Sequence, residues 1–244
     1  MELKIYGRSG DVLGKPWTSE DAQSNRNLQP SSIFAKYIIS SLTNKTTNEL
    51  MNIAFRTVEI SSYGDDIRRR FVENTGNTLK HRMREWYNFF SGKLVLIDAI
   101  KDRLKNQHSS FHFRSGTFDI SSAIRNNMPS FRISAYNLSE MIAIGGVQEV
   151  EITGRVINEH FPSISHNYYR GNINSPHSVK VHLKIIMKDW FGVDEDDFTN
   201  FRPAALVDRE GLAALWILQH QREFLPFINE FEHNLDFEVS LGSY

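Results

Sequence analysis

The stretch HSVKVHLKIIM, residues 177–187, decides the fold class, because it is the most regular alternating stretch in the chain. Between Ser178 and Ile185 every second residue is apolar. Period-two alternation is typical of a β-strand with one buried face and one solvated face. We therefore predict a strand here, in a sheet that is covered on one side.

Segments on either side of this strand predict an α+β fold. Helical spacing of apolar residues runs through 31–40, 47–60, 64–76 (with Gly76 as its stop), 77–90 and 93–106, and again through 209–224. Alternation returns in 129–137, 146–158 and 226–241. We predict an irregular lead segment (1–30), a helical region (31–108) and an α+β C-terminal domain (109–244). The fold expected is a helical first part, then a twisted antiparallel sheet or half-barrel with one packed helix.

Composition excludes several classes of protein. The 244 residues carry 28 Lys and Arg against 29 Asp and Glu, a formal net charge of -1, and this balance argues against a nucleic-acid binder. Without any cysteine, the chain has no disulfide, zinc thiolate or cysteine nucleophile. The N-terminus lacks the pattern of a secretory signal, and no apolar run is long enough to span a bilayer. We therefore expect synthesis in the cytoplasm without a signal peptide, and export through a signal-independent machine remains open.

The candidate site is KDWFGVDEDDFTNFR, residues 188–202, which follows the strand directly. Its carboxylates are close enough in sequence to share one divalent cation, and carboxylate oxygens are the ligands that Mg²⁺ and Ca²⁺ require. The candidate metal ligands are Asp189, Asp194, Asp196 and Asp197. The spacing differs from that of an EF-hand loop, and a solvated turn with capping aspartates explains the same residues.

Other familiar motifs are missing from the sequence. It has no HExxH pair, no GxSxG elbow and no glycine-rich phosphate loop. His220 stands near the end of a predicted helix, where a capping or core role is expected. His160, His166 and His177 belong to a long polar connection and have no local pattern that assigns them a role.

The C-terminal part resembles a family of uncharacterised proteins from Gram-negative bacteria that occur with secreted or contact-delivered antibacterial toxins. The resemblance covers roughly the last hundred residues and combines a strand, an acidic turn, a helix ending in Leu-Gln-His and a Pro-Phe strand. The matching residues are Asp189, Phe191, Gly192, Val193, Asp194, Gly211, Trp216, Leu218, Gln219, His220, Pro226 and Phe227.

A more distant resemblance is to colicin M-type toxins, which cleave the lipid-linked peptidoglycan precursor between lipid and pyrophosphate with Mg²⁺. It aligns Asp189 with the first aspartate of their Asp-x-Tyr-Asp motif, Phe191 with the tyrosine and Arg202 with the arginine. Gly192 stands at the second aspartate and Phe201 at the histidine, so Asp194 would have to supply the missing carboxylate. The resemblance implies that Asp189, Asp194 and Arg202 are catalytic, with Arg202 on phosphate.

These resemblances imply an antibacterial effector that hydrolyses a lipid-linked precursor. We expect it to be made in the bacterial cytoplasm and delivered, by a machine such as type VI secretion, into the periplasm of a target cell. Its expected partners are a cognate immunity protein, a component of the secretion machine and the lipid-linked substrate. One alternative is a non-enzymatic immunity or adaptor protein that uses the acidic turn as a binding surface. Another is a membrane-disrupting toxin that uses the late helix.

Overall fold

A computed structural model describes most of the elements around the candidate site. The described residues are 3–10, 13, 18, 20, 23, 29–82, 97–102, 104, 116–126, 147–157, 178–194, 197 and 208–240. The strand predicted at 129–137 falls outside these ranges, as do His160, His166 and His177.

The described part of the chain contains both strands and helices, so the α+β class is confirmed. The strands are β1 (Leu3–Gly10), β2 (Leu79–Arg82), β3 (Gly116–Asp119), β4 (Glu149–Ile157), β5 (Ser178–Phe191) and β6 (Phe227–Ser240). The helices are α1 (Ile33–Leu42), α2 (Thr47–Phe55), α3 (Gly64–Glu73), α4 (Ser121–Arg125) and α5 (Arg209–Gln221), with a 3-10 turn at Val58–Ile60. Residues 97–102 and 104 are also helical.

The six described strands form one sheet in the order β2-β6-β5-β4-β1-β3. The four central strands pair antiparallel, which was predicted for β4, β5 and β6 but not for β1. Both edge strands pair parallel instead: β1 with β3, and β2 with β6. The prediction of an antiparallel sheet is thus wrong at the edges, and the sheet is mixed.

Two strands come from segments with a different predicted structure. Residues 3–10 were expected to be irregular because of Gly7 and Gly10, yet they form β1 beside β4. A side chain at Gly7 would meet Ile120 and Ile124 at 2.6 Å, so this glycine permits close packing of α4 and does not mark a loop. Residues 79–82 were expected to be helical, but alternating burial and pairing with β6 make them β2.

Signals in the sequence mark the starts of α1 and α2 and the end of α3. Ser32 caps α1 through the Ala35 amide, and Thr46 and Glu49 form a reciprocal capping box on α2. Helix α3 ends at Asn74, which adopts the left-handed conformation, two residues before the predicted stop at Gly76.

The hydrophobic core covers one face of the sheet. Helix α5 packs against α1 and α2 and is buried from Ala213 to His220. Phenylalanine rings join these helices to the ends of β5 and β6: Phe191 lies 5.9 Å from Phe55 and 5.2 Å from Phe227, measured between ring centroids. The end of β5, where the candidate site begins, is therefore packed into the core.

Candidate functional site at the end of β5

Strand β5 continues through the first residues of the candidate site. The sequence pattern placed Asp189 after the end of the strand, but it lies within β5, opposite Asn229 of β6. Residues 179, 181, 183, 185 and 187 are buried, so the alternation places Asp189 on the core-facing side of the sheet. Its two neighbours on that side are Met187 and Phe191. The carboxyl group therefore lies between apolar neighbours. In a solvated turn it would have been exposed.

The turn after β5 is fixed by the last residues of α5. The Val193 amide donates to Oε1 of Gln219 at 3.0 Å, and Nε2 of Gln219 donates to the Val193 carbonyl at 3.3 Å. Nε2 of His220 lies 3.2 Å from the same carbonyl. Gln219 and Val193 are 5% and 2% exposed, so these bonds are shielded from water. We call the paired bonds between Gln219 and the Val193 backbone the Gln219 latch.

Gly192 allows the latch to form. A Cβ atom at this position would lie 2.9 Å from Oε1 of Gln219 and 2.9 Å from Cβ of Pro226. Real Cβ atoms rarely approach so closely, because interiors are already close-packed. Gly192, Val193, Gln219, His220 and Pro226 all belong to the set on which the family resemblance rests, and in space they form one contact.

Asp194 and Asp197 cap each other's backbone. The Asp194 amide donates to Oδ2 of Asp197 at 2.8 Å, and the Asp197 amide donates to Oδ1 of Asp194 at 3.3 Å. Residue 197 is helical, so the arrangement is the reciprocal one of a capping box. Both carboxylates thus have a local structural role beside any chemical one.

Burial raises the pKa of the Asp189 carboxyl well above its usual range. The nearby negative charge of Asp197 raises the pKa further, and a hydrogen bond with the Trp190 backbone lowers it. The fold therefore brings two of the predicted site residues, Asp189 and Asp197, within electrostatic reach of each other.

The residues present fit a divalent cation in their donor chemistry. Two carboxylates that repel each other are stabilised by a shared cation, and oxygen donors suit Mg²⁺ or Ca²⁺. A carboxylate has about four lone-pair positions, so accepting one backbone N–H does not prevent Asp194 or Asp197 from coordinating. Among the described residues there is no group of three or more His, Asp or Glu placed to hold a metal. Asp196 and Arg202 lie outside the described residues.

A buried carboxylate lies on the opposite side of the sheet. Glu149 is 1% exposed and pairs with NH2 of Arg8 at 2.5 Å and with Nζ of Lys188 at 3.5 Å. Its other oxygen accepts from the Leu13 amide at 3.1 Å. Two cations and a backbone donor compensate the buried charge, so we assign this cluster a structural role.

Sequence reasoning missed the part that Gln219 plays. Gln219 entered only through the family resemblance, because nothing local in WILQHQ distinguishes a buried amide from a solvated one. The available signal was its place between buried positions of an apolar helix face.

The comparisons with known proteins gave no match to a family model, a curated protein or a solved structure. In the described part of the chain, no helix combines the length and the apolar character that crossing a membrane would require.

Proposed function

We propose that this protein is an antibacterial effector whose end-of-β5 site hydrolyses a phosphoanhydride or phosphodiester bond of a lipid-linked cell-envelope precursor. The observation that carries the proposal is that the charge of Asp197 acts on the Asp189 carboxyl beside a turn that Gln219 holds in place. Two carboxyls in unlike environments, one enclosed and one exposed, are typical of hydrolytic sites. The resemblance to colicin M-type toxins supplies the substrate class.

Each residue has a distinct role in this proposal. Asp189 and Asp194 are the main metal ligands and Asp196 or Asp197 the auxiliary ones, while Arg202 binds the equatorial oxygens of the phosphate. A bound Mg²⁺ or Ca²⁺ supplies charge neutralisation at the bridging oxygens. The Gln219 latch keeps the Val193 backbone, and hence Asp194, in register with Asp189. Pre-organisation of this kind lowers the barrier, since less of the site has to be ordered during the reaction.

Compartment-specific toxicity tests the proposal in cells. The chain is expressed in a bacterial host with and without a periplasmic signal, as wild type, as Asp189→Asn and as Glu238→Gln. Glu238 is an exposed carboxylate on β6 and serves as the matched control. We expect lysis only from the periplasm, lost in Asp189→Asn and kept in Glu238→Gln. Toxicity that survives Asp189→Asn would refute the assignment of the site.

A purified-protein assay tests the chemistry. Lipid-linked pyrophosphate substrate is incubated with the protein in Mg²⁺, in Ca²⁺ and in EDTA, and the released phosphorylated product is quantified. We expect cleavage that depends on the metal and on Asp189. Equal turnover in EDTA would remove the metal from the proposal.

The reciprocal capping of Asp194 and Asp197 favours a second candidate, a non-enzymatic immunity or adaptor protein. Here both carboxylates shape a rigid acidic surface for a partner. Cells then survive expression in either compartment, and calorimetric titration with a basic partner protein gives an affinity that EDTA leaves unchanged. An affinity that needs a divalent cation would contradict this candidate.

A further inference from the structure

Helix α1 carries a cluster of large apolar side chains that face away from the core. Ile33 is 85% exposed, Phe34 52% and Tyr37 75%. They are half of the exposed large apolar residues in the described part of the chain, and the others are scattered over three elements. Single exposed apolar residues are ordinary on a protein surface, but a contiguous group marks an interaction site. We call Ile33, Phe34 and Tyr37 the α1 patch.

Helical geometry explains why the α1 patch is directed to solvent. The buried residues of α1 are Ala35, Ile39 and Leu42, on the side that packs against α5. At about 100° per residue, Leu42 lies about 180° around the helix from Ile33. Positions four apart are neighbours on one side of a helix, so Ile33 and Tyr37 form a pair opposite the buried stripe. This pair therefore protrudes from the protein and takes no part in the packing of its core.

The charges on and beside α1 are basic. Residues 31–45 contain Lys36 and Lys45 but no Asp or Glu. Lys36 is exposed on the same turn as the α1 patch. The guanidinium carbon of Arg209 lies 4.8 Å from the centre of the Phe34 ring, which brings another cation to the edge of the patch. The α1 patch is thus an apolar surface with positive charge around it.

Two carboxylates stand next to Arg209 in the sequence, and both are paired with another cation. Asp208 and Glu210 each form an ion pair with Arg56. A second copy related by a two-fold axis would place the cations of one patch against those of the other, because both copies use the same surface in such a dimer. Juxtaposed like charges disfavour that contact. The charge of the α1 patch therefore favours an anionic partner over a second copy.

We propose that α1 binds the surface of an anionic phospholipid bilayer. The headgroups supply negative charge for Lys36 and Arg209, and the acyl boundary beneath them takes up the side chains of the α1 patch. A helix with an apolar side and flanking Lys or Arg lies in this plane, and aromatic rings are enriched there. The inference goes beyond the proposed function and does not depend on it, because binding needs neither the candidate site nor a lipid-linked substrate.

Sedimentation with lipid vesicles tests the inference on the 244-residue chain. Vesicles of equal parts phosphatidylglycerol and phosphatidylcholine are compared with vesicles of phosphatidylcholine alone. We expect the wild type to pellet with the anionic vesicles and to be largely released in about 1 M salt, where the Debye length falls to about 3 Å. Ile33→Gln should lower the partition coefficient about tenfold, because an apolar side chain is no longer transferred from water. Lys36→Gln should lower it about fivefold, since one attraction to the anionic surface is lost.

Val72→Gln is the matched control, because Val72 is 55% exposed on α3, away from the α1 patch in sequence. It should bind as the wild type does. Ile33 and Lys36 are exposed, so thermal unfolding followed by circular dichroism should be the same for all the proteins.

Three results would overturn the inference. The first is a wild type that does not bind anionic vesicles, or binds neutral ones equally well. The second is unchanged binding in both Ile33→Gln and Lys36→Gln. The third is a wild-type dimer in analytical ultracentrifugation without lipid that Ile33→Gln dissociates, which would assign the α1 patch to a second copy.

Discussion

Replacing Gln219 by methionine tests whether the latch holds the candidate site in place. Methionine keeps the length and the apolar stem of the side chain but removes the carbonyl oxygen and the NH₂ group of the amide. The Val193 amide, which donates to Gln219 at 3.0 Å, is then left buried without that acceptor. An orphaned buried donor costs about 1 to 3 kcal/mol. The Val193 carbonyl oxygen still lies 3.2 Å from Nε2 of His220, so losing its bond to Gln219 should add little to the cost in free energy.

The expected loss for Gln219→Met is therefore about 2 kcal/mol in the free energy of unfolding. Urea unfolding followed by circular dichroism measures it, and with an m-value of about 2 kcal/mol/M the midpoint falls by about 1 M. Hydrogen exchange of the Val193 amide gives a local readout and should accelerate. Gln221→Met, in the same helix but half exposed, is the control and should stay within about 0.5 kcal/mol.

Two results would refute the reasoning. A loss below about 0.5 kcal/mol with unchanged exchange at Val193 would show that the latch contributes nothing in solution. An equal loss in Gln221→Met would show that the effect comes from helix α5 in general and not from the bonds to Val193.

Three further changes give separate tests. Gly192→Ala should destabilise by about 1 to 3 kcal/mol in urea unfolding, because its Cβ would meet Gln219 at 2.9 Å, whereas Gly211→Ala has 3.4 Å to its nearest atoms and should be tolerated. Asp189→Asn should become more stable relative to the wild type as pH rises in EDTA. Because the pKa of Asp189 is higher in the folded than in the unfolded protein, the wild type is most stable below the unfolded pKa, near 3.9, and loses stability until the folded pKa is passed. The loss is about 1.4 kcal/mol for each unit by which the folded pKa exceeds the unfolded one. A pH-independent difference between the two proteins would contradict this assignment. Thr46→Ala removes the N-cap of α2 and should lower stability by about 0.5 to 2 kcal/mol by thermal or urea unfolding, while Thr46→Ser should keep most of it.

The parts of the fold that the sequence predicted well are those with a strong period. Strands β4, β5 and β6 alternate over nine residues or more, and α5 has a polar start at Asp208 and a long apolar run. These elements could be recognised as strands or helices because burial determines their pattern of residues. In the strands one face is buried, and in α5 nearly the whole helix is.

The missed parts depend on neighbours that are distant in the sequence. Strand β1 contains Gly7, which local rules assign to loops, but its lack of a side chain is required by the approach of α4. Strand β2 has only four residues, and Lys80 and Arg82 have no local feature that separates a strand edge from a helix. The long-range pairing with β6 decides its structure.

The candidate site could be located from the sequence but not understood from it. The carboxylates pointed to residues 188–202, and the fold brings Asp189 and Asp197 into electrostatic reach. Side-chain orientation supplied the rest: Asp189 faces the core because β5 continues past it. Asp194 binds backbone because of a local turn geometry that sequence spacing leaves open.

The two parallel pairings at the sheet edges have a consequence for the order of folding. Leu3 pairs with Gly116, and Leu79 pairs with Asn229. The parallel partners of β1 and β2 are therefore synthesised much later than these strands. Pairings between distant segments form slowly, because a long loop has to close first. A chain still on the ribosome also has no complete sheet until β6 has emerged. The candidate site lies at the end of β5 beside its pairing with β6, so it can be assembled only after β6 has been synthesised.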